Sequence, residues 1–566
     1  MLRPNYSLRW TPITAGEDFE RFYAYNRKDI VAEMAASVRV PDMSPREHRI
    51  WLMHMRCNLR GMYVAMPDVV NCIEVMEQAF EKYTARLREI TGDRVQTASE
   101  VQEMRAWLSD THGIRLYDLD DETVTETLKL PGLPNGAREV LRIRQLLAFG
   151  SVKKLYAFLH QTGHDGRLRD QYVFYGAHTG LWNGRGVQPA NLYSGSFHKP
   201  EQVEAALRVI SYRSLELVEQ AFAPMDALEV IACCLRSLIV ARPGTRLMGS
   251  DFSAIQAVVL AALAGEEWRL EVFRTHGKIY EMSAAKLSGI PFEEICNYVD
   301  PATGKKAKHP MRQTHGKVGE LASGFGGWVG AWKRFGADEF MASDEEIKQA
   351  ILRWRAESPM VVEMWGGQRR GYGRSAVKDL YGLEGAAVSA VMDPGQCYRY
   401  RQVSYQMHED ALYCMGPSGT FMVYHTPRLS PAQPRGNYVP APWEQRLTYM
   451  GWDSQAGWSE TDLYGGVLMQ NIDSHESREI QAEKLVRLED TGVYMPALHT
   501  HDEDTCEVEN GRGSLEEYRD LCRILPDWAR TPDGKPWPIR VPDVWEGPRY
   551  GKWELEGVEG DYRVIT

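Results

Sequence analysis

The 566-residue sequence has no apolar run long enough to cross a membrane. Its nearest candidate, residues 257–265, falls far short of the roughly 20 apolar residues that a membrane helix needs. The first twelve residues lack the apolar core of a secretory signal. The nine cysteines are odd in number and form no C-x-x-C pair. We therefore expect no membrane association and reduced thiols in a cytosolic compartment.

An excess of positive charge is also missing, because 66 Lys and Arg face 77 Asp and Glu for a net charge of −11. This balance excludes a chain that is basic throughout, but it leaves room for a local basic groove. Hydrophobic residues make up 43% of the chain, which is ordinary globular composition. The length is several times the roughly 150 residues of one domain and predicts three or more packed units.

Helix-like and strand-like segments alternate along the chain. Helices are predicted where apolar residues recur at a spacing of three to four, and strands where glycine and aromatic residues cluster or alternate. Alternation of this kind indicates an α+β enzyme with a discontinuous sheet domain. The predicted helical regions are about 44–150, 254–375 and 466–491, and the predicted strand and turn regions are 166–192 and 416–445.

Acidic residues follow two apolar strands that lie far apart in the sequence. The first strand ends at Ser250-Asp251, and Asp251 by itself is typical of a helix N-cap. The second ends in His501-Asp502-Glu503, in the predicted turn of a β-hairpin, where a solvated turn is the alternative. Two aspartates brought together from these segments could hold two divalent cations, which serve the attacking and leaving oxygens of phosphoryl transfer.

Positive charge is concentrated between these two sites, in residues 305–327. The planar fork of Arg312 and the point charge of Lys317 both suit triphosphate oxygens. On a helix, Lys317, Leu321 and Gly324 share one face, so a phosphate binder and an apolar surface for a base lie side by side. A solvated basic face is the alternative for this segment alone. Its cations are Lys305, Lys306, Lys308, Arg312 and Lys317.

Taken in order, these segments resemble three motifs of the family A (DNA polymerase I-like) DNA polymerases, particularly the phage type. They are SDFSAI, R-x-x-x-x-K followed by FGG, and HDE. Each motif alone is a weak signal, whereas seven similar segments in the family's order, followed by a similar carboxy-terminal segment, are specific. The other similar segments are RIRQLLAFGSVKKL, YGAHTGLWNGRGVQPANL, PSGT, YGGVLMQNIDSHESRE and the carboxy-terminal PDWARTPDGKPWPIRVPDVWEGPRYGKW, so the resemblance covers about 44–566.

The resemblance implies an α+β right-hand fold and DNA-templated addition of dNTPs to a primer in phage DNA replication, in the host cytoplasm. It implies two Mg²⁺ ions, for which Mn²⁺ can substitute, and primer-template DNA as partner. A separate exonuclease or processivity subunit is a further candidate partner. The implied divisions are an exonuclease-domain remnant (1–43), thumb (44–150), first part of the palm (151–255), fingers (256–435) and second part of the palm (436–566).

Specific roles also follow from the resemblance. Asp251 and Asp502 would hold the metals together with the backbone carbonyl of Phe252, and Glu503 would lie nearby as a further catalytic residue. The implied nucleotide-binding residues are Gln256, Arg312, Lys317, Leu321, Phe325 and His501, with Phe325 beside the nascent base pair. The implied DNA-binding residues are Arg144, Lys154, Arg167, Arg169, Asn191, Asn471 and His475.

Several positions depart from the family pattern. Arg312 lies five residues before Lys317 where four is usual, which on an α-helix displaces one of the two by about 100°. The substitutions bear on rate, sugar selection and fidelity, but they leave both aspartates in place. They are Leu181 for Arg, Ala190 for Gln, Gln256 for Glu, Leu321 for Phe or Tyr, and His475 for Gln.

Two other functions remain open from the sequence. A single-subunit RNA polymerase normally has HDS at the third motif, so Glu503 favours DNA synthesis, while Gln256 weakens that preference. A catalytically weak nucleic-acid-binding replication subunit would explain the lost Arg and Gln contacts, but it has no use for two mutually repelling aspartates. Tyr25-x-x-x-Asp29 resembles the last motif of a 3′–5′ exonuclease; because the upstream Asp-x-Glu is absent, we expect no proofreading by this chain.

Overall fold

A computed structural model describes residues 11–566 except 41, 302, 367–380, 432, 434–444, 454 and 455. The chain divides into two compact units, residues 1–52 and 53–566. Helix α1 (Gly16–Ser37), which carries Tyr25 and Asp29, belongs to the first unit, and helix α2 (Pro45–Arg60) begins there and ends in the second. No helix among the described residues has the length and apolarity of a membrane span.

The predicted helical region 44–150 is confirmed. After α2 and the short strand β1 (Met62–Val64), long helices pack around an apolar core that includes Leu87, Trp107 and Leu141. Gly92 ends α3 in the left-handed conformation (φ +61°), where glycine carries no steric penalty. The helices of this part are α3 (Met66–Thr91), α4 (Val101–His112), α5 (Asp121–Lys129), α6 (Asn135–Ala148) and α7 (Lys154–Gln161).

Strands and turns follow in the region 166–192, as predicted, although each strand has only two residues. Cys233 and Cys234 are buried. A three-stranded antiparallel sheet has the order β2-β1-β5. The elements are β2 (Arg167–Leu168), β3 (Tyr172–Val173), β4 (Asn183–Gly184), α8 (Pro200–Ile210), α9 (Leu215–Phe222), α10 (Ala227–Cys234), β5 (Ile239–Val240) and β6 (Thr245–Asp251).

Helices dominate the described residues between 255 and 366, as predicted, and the end of the predicted region, 367–375, lies outside the described residues. A stretch of π-helix, Arg312–Lys317, runs directly into α15. Trp332, Trp354 and Leu383 lie in the apolar core of this part. The helices are α11 (Ile255–Ala264), α12 (Glu267–Thr275), α13 (Ile279–Ser288), α14 (Phe292–Cys296), α15 (Val318–Ser323), α16 (Val329–Arg334), α17 (Asp344–Glu357), α18 (Pro359–Trp365) and α19 (Gly382–Met392).

A six-stranded antiparallel sheet of consecutive strands occupies residues 397–462. Strands β10 and β11 pair with each other, with Arg428 opposite Thr448. The predicted boundary between fingers and second palm segment, at 435/436, lies outside the described residues, and the domain divisions stay a prediction. The strands are β7 (Cys397–Tyr400), β8 (Val403–His408), β9 (Ala411–Met415), β10 (Phe421–Pro431), β11 (Gln445–Asp453) and β12 (Gly457–Asp462).

The last part completes a second six-stranded sheet, of order β13-β14-β6-β15-β17-β16, in which β6 comes from much earlier in the chain. Helix α20 packs in the core beside α11, and even its charged residues Glu476, Arg478 and Lys484 are buried. The elements are α20 (Gly465–Asp490), β13 (Met495–Thr500), β14 (Glu503–Glu509), α21 (Leu515–Arg523), β15 (Val544–Gly547), β16 (Val558–Glu559) and β17 (Tyr562–Ile565).

Candidate active site

The two acidic strand ends lie side by side. Strand β14 runs antiparallel to β6 in a register that places Glu503 opposite Asp251. The backbone N–H of Phe252 donates a hydrogen bond of 3.3 Å to the carbonyl of Asp502. The sheet therefore brings Asp251 and Asp502 to one edge, as the sequence predicted.

The hairpin between β13 and β14 fixes the backbone of Asp502. Thr500 pairs with Glu503, so that His501 and Asp502 alone form the turn. His501 takes a positive φ of 50°, which two-residue hairpin turns commonly require. The predicted hairpin turn at H-D-E is confirmed, and its tightness keeps Asp502 against Phe252.

Carboxylates crowd this edge of the sheet. Burial raises the pKa of Asp251 to about 7, and the charges of Asp502 and Glu503 add to that effect. Burial also raises the pKa of Glu503 to about 7, although the Tyr550 hydroxyl donates a hydrogen bond of 3.1 Å to its carboxylate. Mutually repelling carboxylates of this kind are stabilised when a cation binds between them.

The donor set at this edge suits Mg²⁺, which prefers carboxylate and carbonyl oxygens and usually keeps water or phosphate among its ligands. Asp251, Asp502 and the backbone carbonyl of Phe252 are candidate ligands that adjoin in the fold. Across the described ranges, no three His, Cys, Asp or Glu side chains converge as a ready-made metal cage. A metal bound here would therefore complete its coordination with nucleotide phosphates and water.

A buried ion pair connects helix α20 to strands β6 and β14, and it was not predicted from the sequence. Lys484 on α20 lies 2.5 Å from Asp504 on β14, and both side chains are essentially inaccessible to solvent. The Ser250 hydroxyl on β6 donates to the same carboxylate at 2.7 Å, and the Lys484 ammonium lies 3.8 Å from the ring centroid of Phe252. Nothing in the sequence marks this pair, because Lys484 and Asp504 both lie among other charged residues.

A π-helix spans Arg312–Lys317, and its geometry accommodates the five-residue spacing between these two residues. In a π-helix each N–H bonds to the carbonyl five residues earlier, so residues five apart lie about one turn apart. This corrects the expectation that one of the two would be displaced by about 100° around the helix. Both side chains therefore lie along one side of it.

Helix α13 supplies the present partners of Arg312. The guanidinium donates a hydrogen bond of 2.6 Å to Glu281 and lies 5.2 Å from the ring centroid of Tyr280. Lys317 is half-buried, and no ion pair joins it to a carboxylate within the part of the chain that the structure describes. Tyr280 and Glu281 were not singled out in the sequence, because nothing in their local pattern marks them.

The remaining predicted nucleotide-site residues lie around this helix and α11. Gln256 is exposed at the start of α11, and its amide donates a hydrogen bond of 3.4 Å to Ser474. Leu321 is 39% exposed on α15, whereas Phe325 is partly buried against the core. A Cβ at Gly466 would lie 2.2 Å from the Phe325 carbonyl, so glycine at the start of α20 permits this close approach.

Comparison with known proteins identifies the family, although no protein-family model matches the chain. The DNA polymerase of Bacillus phage SP02 is 30% identical over 525 residues, which is 92% of this chain and 74% of that protein. The chain belongs to the phage-type family A DNA polymerases. A solved structure, the POL domain of Pol1 from M. smegmatis in complex with DNA primer-template and dNTP, matches 89% of this chain and 70% of its own. That match has a TM-score of 0.55 and 14% identity, and it confirms the polymerase fold.

One prediction for this polymerase concerns the π-helix. A Cβ at Gly316 would lie 2.0 Å from the Tyr280 carbonyl, so Gly316→Ala should push the π-helix from α13. Overpacking of this kind costs roughly 1–3 kcal/mol. We expect the KM for the incoming nucleotide to rise about tenfold, measured by single-nucleotide insertion. Gly330→Ala is the matched control, because nothing lies within 4 Å of its added Cβ. Equal KM values for both variants would contradict the prediction.

Among the basic residues predicted to contact DNA, Arg167 has another partner. Its guanidinium donates a hydrogen bond of 2.7 Å to the Glu507 carboxylate. The side chains of this ion pair are 13% exposed (Arg167) and 5% exposed (Glu507). Arg242 also pairs with Glu507, at 3.4 Å, and a phosphate contact by Arg167 stays a prediction. Arg169 is more exposed and pairs with Asp165, and Arg144 is half-buried on α6. For these two, contact with DNA stays a prediction.

Lys154 and Asn191 lie together. The Lys154 ammonium donates hydrogen bonds to the backbone carbonyls of Asn191, at 3.0 Å, and Gln188, at 3.4 Å. Burial lowers the pKa of Lys154. The Asn191 side chain is exposed, and its amide donates a hydrogen bond of 3.1 Å to the side-chain carbonyl of Gln188. The two residues thus shape one short turn, whose contact with DNA stays a prediction.

His475 is fully buried, and both of its ring nitrogens have partners within the protein. They are the Thr179 carbonyl at 3.0 Å and the Thr420 hydroxyl at 2.8 Å. This corrects the expectation that the ring offers a donor to DNA. Arg478, one turn further along α20, donates a hydrogen bond of 3.1 Å to the carbonyl of Gly180. The side chains of His475 and Arg478 therefore hold the turn before Leu181 in place. Asn471 is half-buried and donates a hydrogen bond of 3.1 Å to the Tyr424 hydroxyl. Its contact with DNA stays a prediction.

Proposed function

We propose that this polymerase adds dNTPs to the 3′ end of a DNA primer at the edge of the sheet formed by Asp251, Asp502 and Glu503. The observation that carries the proposal is the pairing of β6 with β14, which places the two aspartates side by side. In the reaction, the primer 3′-oxygen forms a bond to the α-phosphorus of the nucleotide and the bond to the β-phosphate breaks. Pyrophosphate leaves, and the hydroxyl loses its proton.

The residues of the chain have separate tasks in this proposal. Asp251, Asp502 and the Phe252 carbonyl would hold two Mg²⁺ ions, which stabilise the charge that develops on the attacking and leaving oxygens. Lys317 and Arg312 bind the triphosphate, and the π-helix supports this role because it places both on one side. The Tyr550 hydroxyl orients Glu503 by donating it a hydrogen bond of 3.1 Å, and the same hydroxyl accepts a hydrogen bond of 2.9 Å from the Arg236 guanidinium. Primer-template DNA and dNTPs are the proposed partners.

Metal removal tests the proposal directly. Crowded carboxylates without a cation repel the triphosphate, so a chelator should abolish primer extension, and Mg²⁺ or Mn²⁺ should restore it. Extension is measured on a primed template after gel filtration into metal-free buffer. Binding of the primer-template, measured at the same time, should persist and serves as the control. Full extension without a divalent ion would refute the proposed mechanism.

Sugar selection should depend on Gln256 and Leu321. The Gln256 amide can donate a hydrogen bond to a ribose 2′-hydroxyl, whereas a glutamate only accepts. We therefore expect measurable ribonucleotide incorporation that falls in Gln256→Glu. Leu321 offers neither a hydroxyl nor a ring edge, so dideoxynucleotides should be used poorly until Leu321→Tyr. Each ratio is measured against the matching dNTP, with the other variant as control. If neither substitution changes its ratio, the two positions do not contact the sugar.

A further inference from the structure

A buried carboxylate ties helix α15 to three other helices. One oxygen of Glu320 accepts a hydrogen bond of 2.5 Å from the Ser283 hydroxyl on α13 and one of 3.1 Å from the Trp354 indole on α17. Its other oxygen accepts a hydrogen bond from the Arg269 guanidinium on α12. Glu320 is 6% exposed and Arg269 is 1% exposed. Both oxygens of Glu320 are therefore held by donors that α15 itself does not supply.

The Arg269 guanidinium is fixed by further contacts. It lies over the rings of Trp268 and Trp354, 4.5 Å and 4.9 Å from their centroids. It also donates a hydrogen bond of 2.7 Å to the hydroxyl of Ser358, which lies between α17 and α18. Cation–π contacts and a charge-assisted hydrogen bond both resist reorientation of the guanidinium. The positive charge that faces Glu320 therefore has a set position.

The inner side of α15 also fits closely against the core. A Cβ at Gly319 would lie 3.0 Å from Cδ1 of Leu287. The Trp332 indole donates a hydrogen bond of 2.9 Å to the Ser323 hydroxyl. Gly319 and Ser323 are four residues apart and share one face of the helix. This close fit fixes how deeply α15 sits in the core.

The ion pair of Glu320 and Arg269 contributes direction more than stability. Taking two charges out of water costs about as much as their attraction returns, and an apolar pair of the same volume is often as stable. Hydrogen bonds, however, weaken steeply when their angles change, so the donors to Glu320 oppose rotation of α15 about its axis. Leu321 directly follows Glu320 and is exposed. Because successive helical residues project about 100° apart, the rotation set at Glu320 also sets the direction of Leu321.

We propose that Glu320 is a positioning residue for the incoming nucleotide. Held by Arg269 and Ser283, it sets the rotation of α15 and thereby the direction in which Leu321 and Lys317 face the nucleotide. The proposal rests on the proposed function, which places the nucleotide against these two side chains. The network acts on nucleotide binding and leaves the metal-binding edge in place, so its loss raises the KM for dNTP more than it lowers kcat.

Single-nucleotide insertion by two variants tests this role. Glu320→Gln removes the charge that Arg269 faces and should raise the KM for dNTP at least about tenfold, because a charge-assisted hydrogen bond is worth roughly that factor. Its kcat should fall less than about threefold. Ser283→Ala removes one donor, keeps the ion pair and should raise the KM about threefold. An unchanged KM in Glu320→Gln would overturn the proposal. If that variant does not fold, Ser283→Ala decides, by a threefold rise in favour or by no rise against.

The matched control is Glu489→Gln, which breaks another ion pair with little exposure to solvent. Glu489 lies near the end of α20 and pairs with Arg60 of α2 at 2.8 Å, with side-chain exposures of 8% and 16%. This variant should lower the free energy of unfolding without changing the KM for dNTP. An equal rise in KM in Glu489→Gln and Glu320→Gln would trace the effect to general loss of stability and overturn the proposal.

Hydrogen exchange of the full chain, without DNA or nucleotide, tests the network independently of catalysis. The backbone amides of α15 should exchange faster in Glu320→Gln than in the wild type, and at the wild-type rate in Glu489→Gln. Equal exchange in Glu320→Gln and wild type would overturn the proposal. Faster exchange with an unchanged KM would also overturn it and leave the proposed function standing. A wild-type chain that shows the exchange difference but extends no primer would refute the proposed function, and with it the role of Glu320 towards a nucleotide.

Discussion

Replacing Asp502 with asparagine should lower the rate of primer extension by at least about 10³-fold, because the variant loses a ligand charge from the metals that stabilise the transition state. Asp251→Asn should have an effect of the same size, since the pairing of β6 with β14 places both carboxylates at one edge. The rate is measured under single-turnover conditions at saturating nucleotide, which separates chemistry from binding.

The matched control for these variants is Asp520→Asn. Asp520 is on α21, its side chain is 68% exposed, and it pairs with the neighbouring Arg519. It should extend primers at the wild-type rate. Near-normal extension by Asp502→Asn or Asp251→Asn would contradict the assignment of the metal-binding edge.

The second large effect is expected on stability, from Lys484→Met. The substitution leaves the Asp504 carboxylate buried without its cation, although Ser250 and Tyr518 still donate hydrogen bonds to it. Breaking a buried ion pair from one side typically costs about 3–5 kcal/mol. The loss is measured as the shift of the urea unfolding transition relative to the wild-type chain.

Two further variants show whether the lost stability comes from the unpaired buried charge of Asp504. Lys484→Met combined with Asp504→Leu removes both charges and should recover most of the lost stability. Lys535→Met breaks an exposed ion pair with Asp533, with side-chain exposures of 59% and 55%, and should change stability by less than about 1 kcal/mol. If Lys484→Met is no more destabilising than Lys535→Met, the buried pair does not brace the two strands.

The parts of the site that follow from local pattern could be predicted from the sequence. An apolar strand that ends at Asp251 and a hairpin turn at Asp502 are short-range features, and the family resemblance brought them together. The α+β class and the order of helical and strand regions followed from periodicity in the same way.

Features that depend on tertiary contact could not be predicted. The π-helix exists where Gly316 meets the Tyr280 carbonyl, and no spacing rule for α-helices anticipates it. The internal partners of Arg167 and His475, Glu507 and Thr179, lie hundreds of residues away in the chain, so no local pattern indicates them. The burial of charged residues on α20 also depends on partners from other elements, which the local sequence does not show.

Primer extension by the wild-type chain with dNTPs or with NTPs distinguishes a DNA polymerase from an RNA polymerase-like enzyme and from a DNA-binding subunit. A DNA-templated DNA polymerase extends a DNA primer in the order set by the template, requires a divalent ion, and uses dNTPs far better than NTPs. We expect that result for this chain, with loss of extension in Asp502→Asn. Synthesis that proceeds with NTPs but not with dNTPs, or tight binding of the primer-template without any extension, would contradict it.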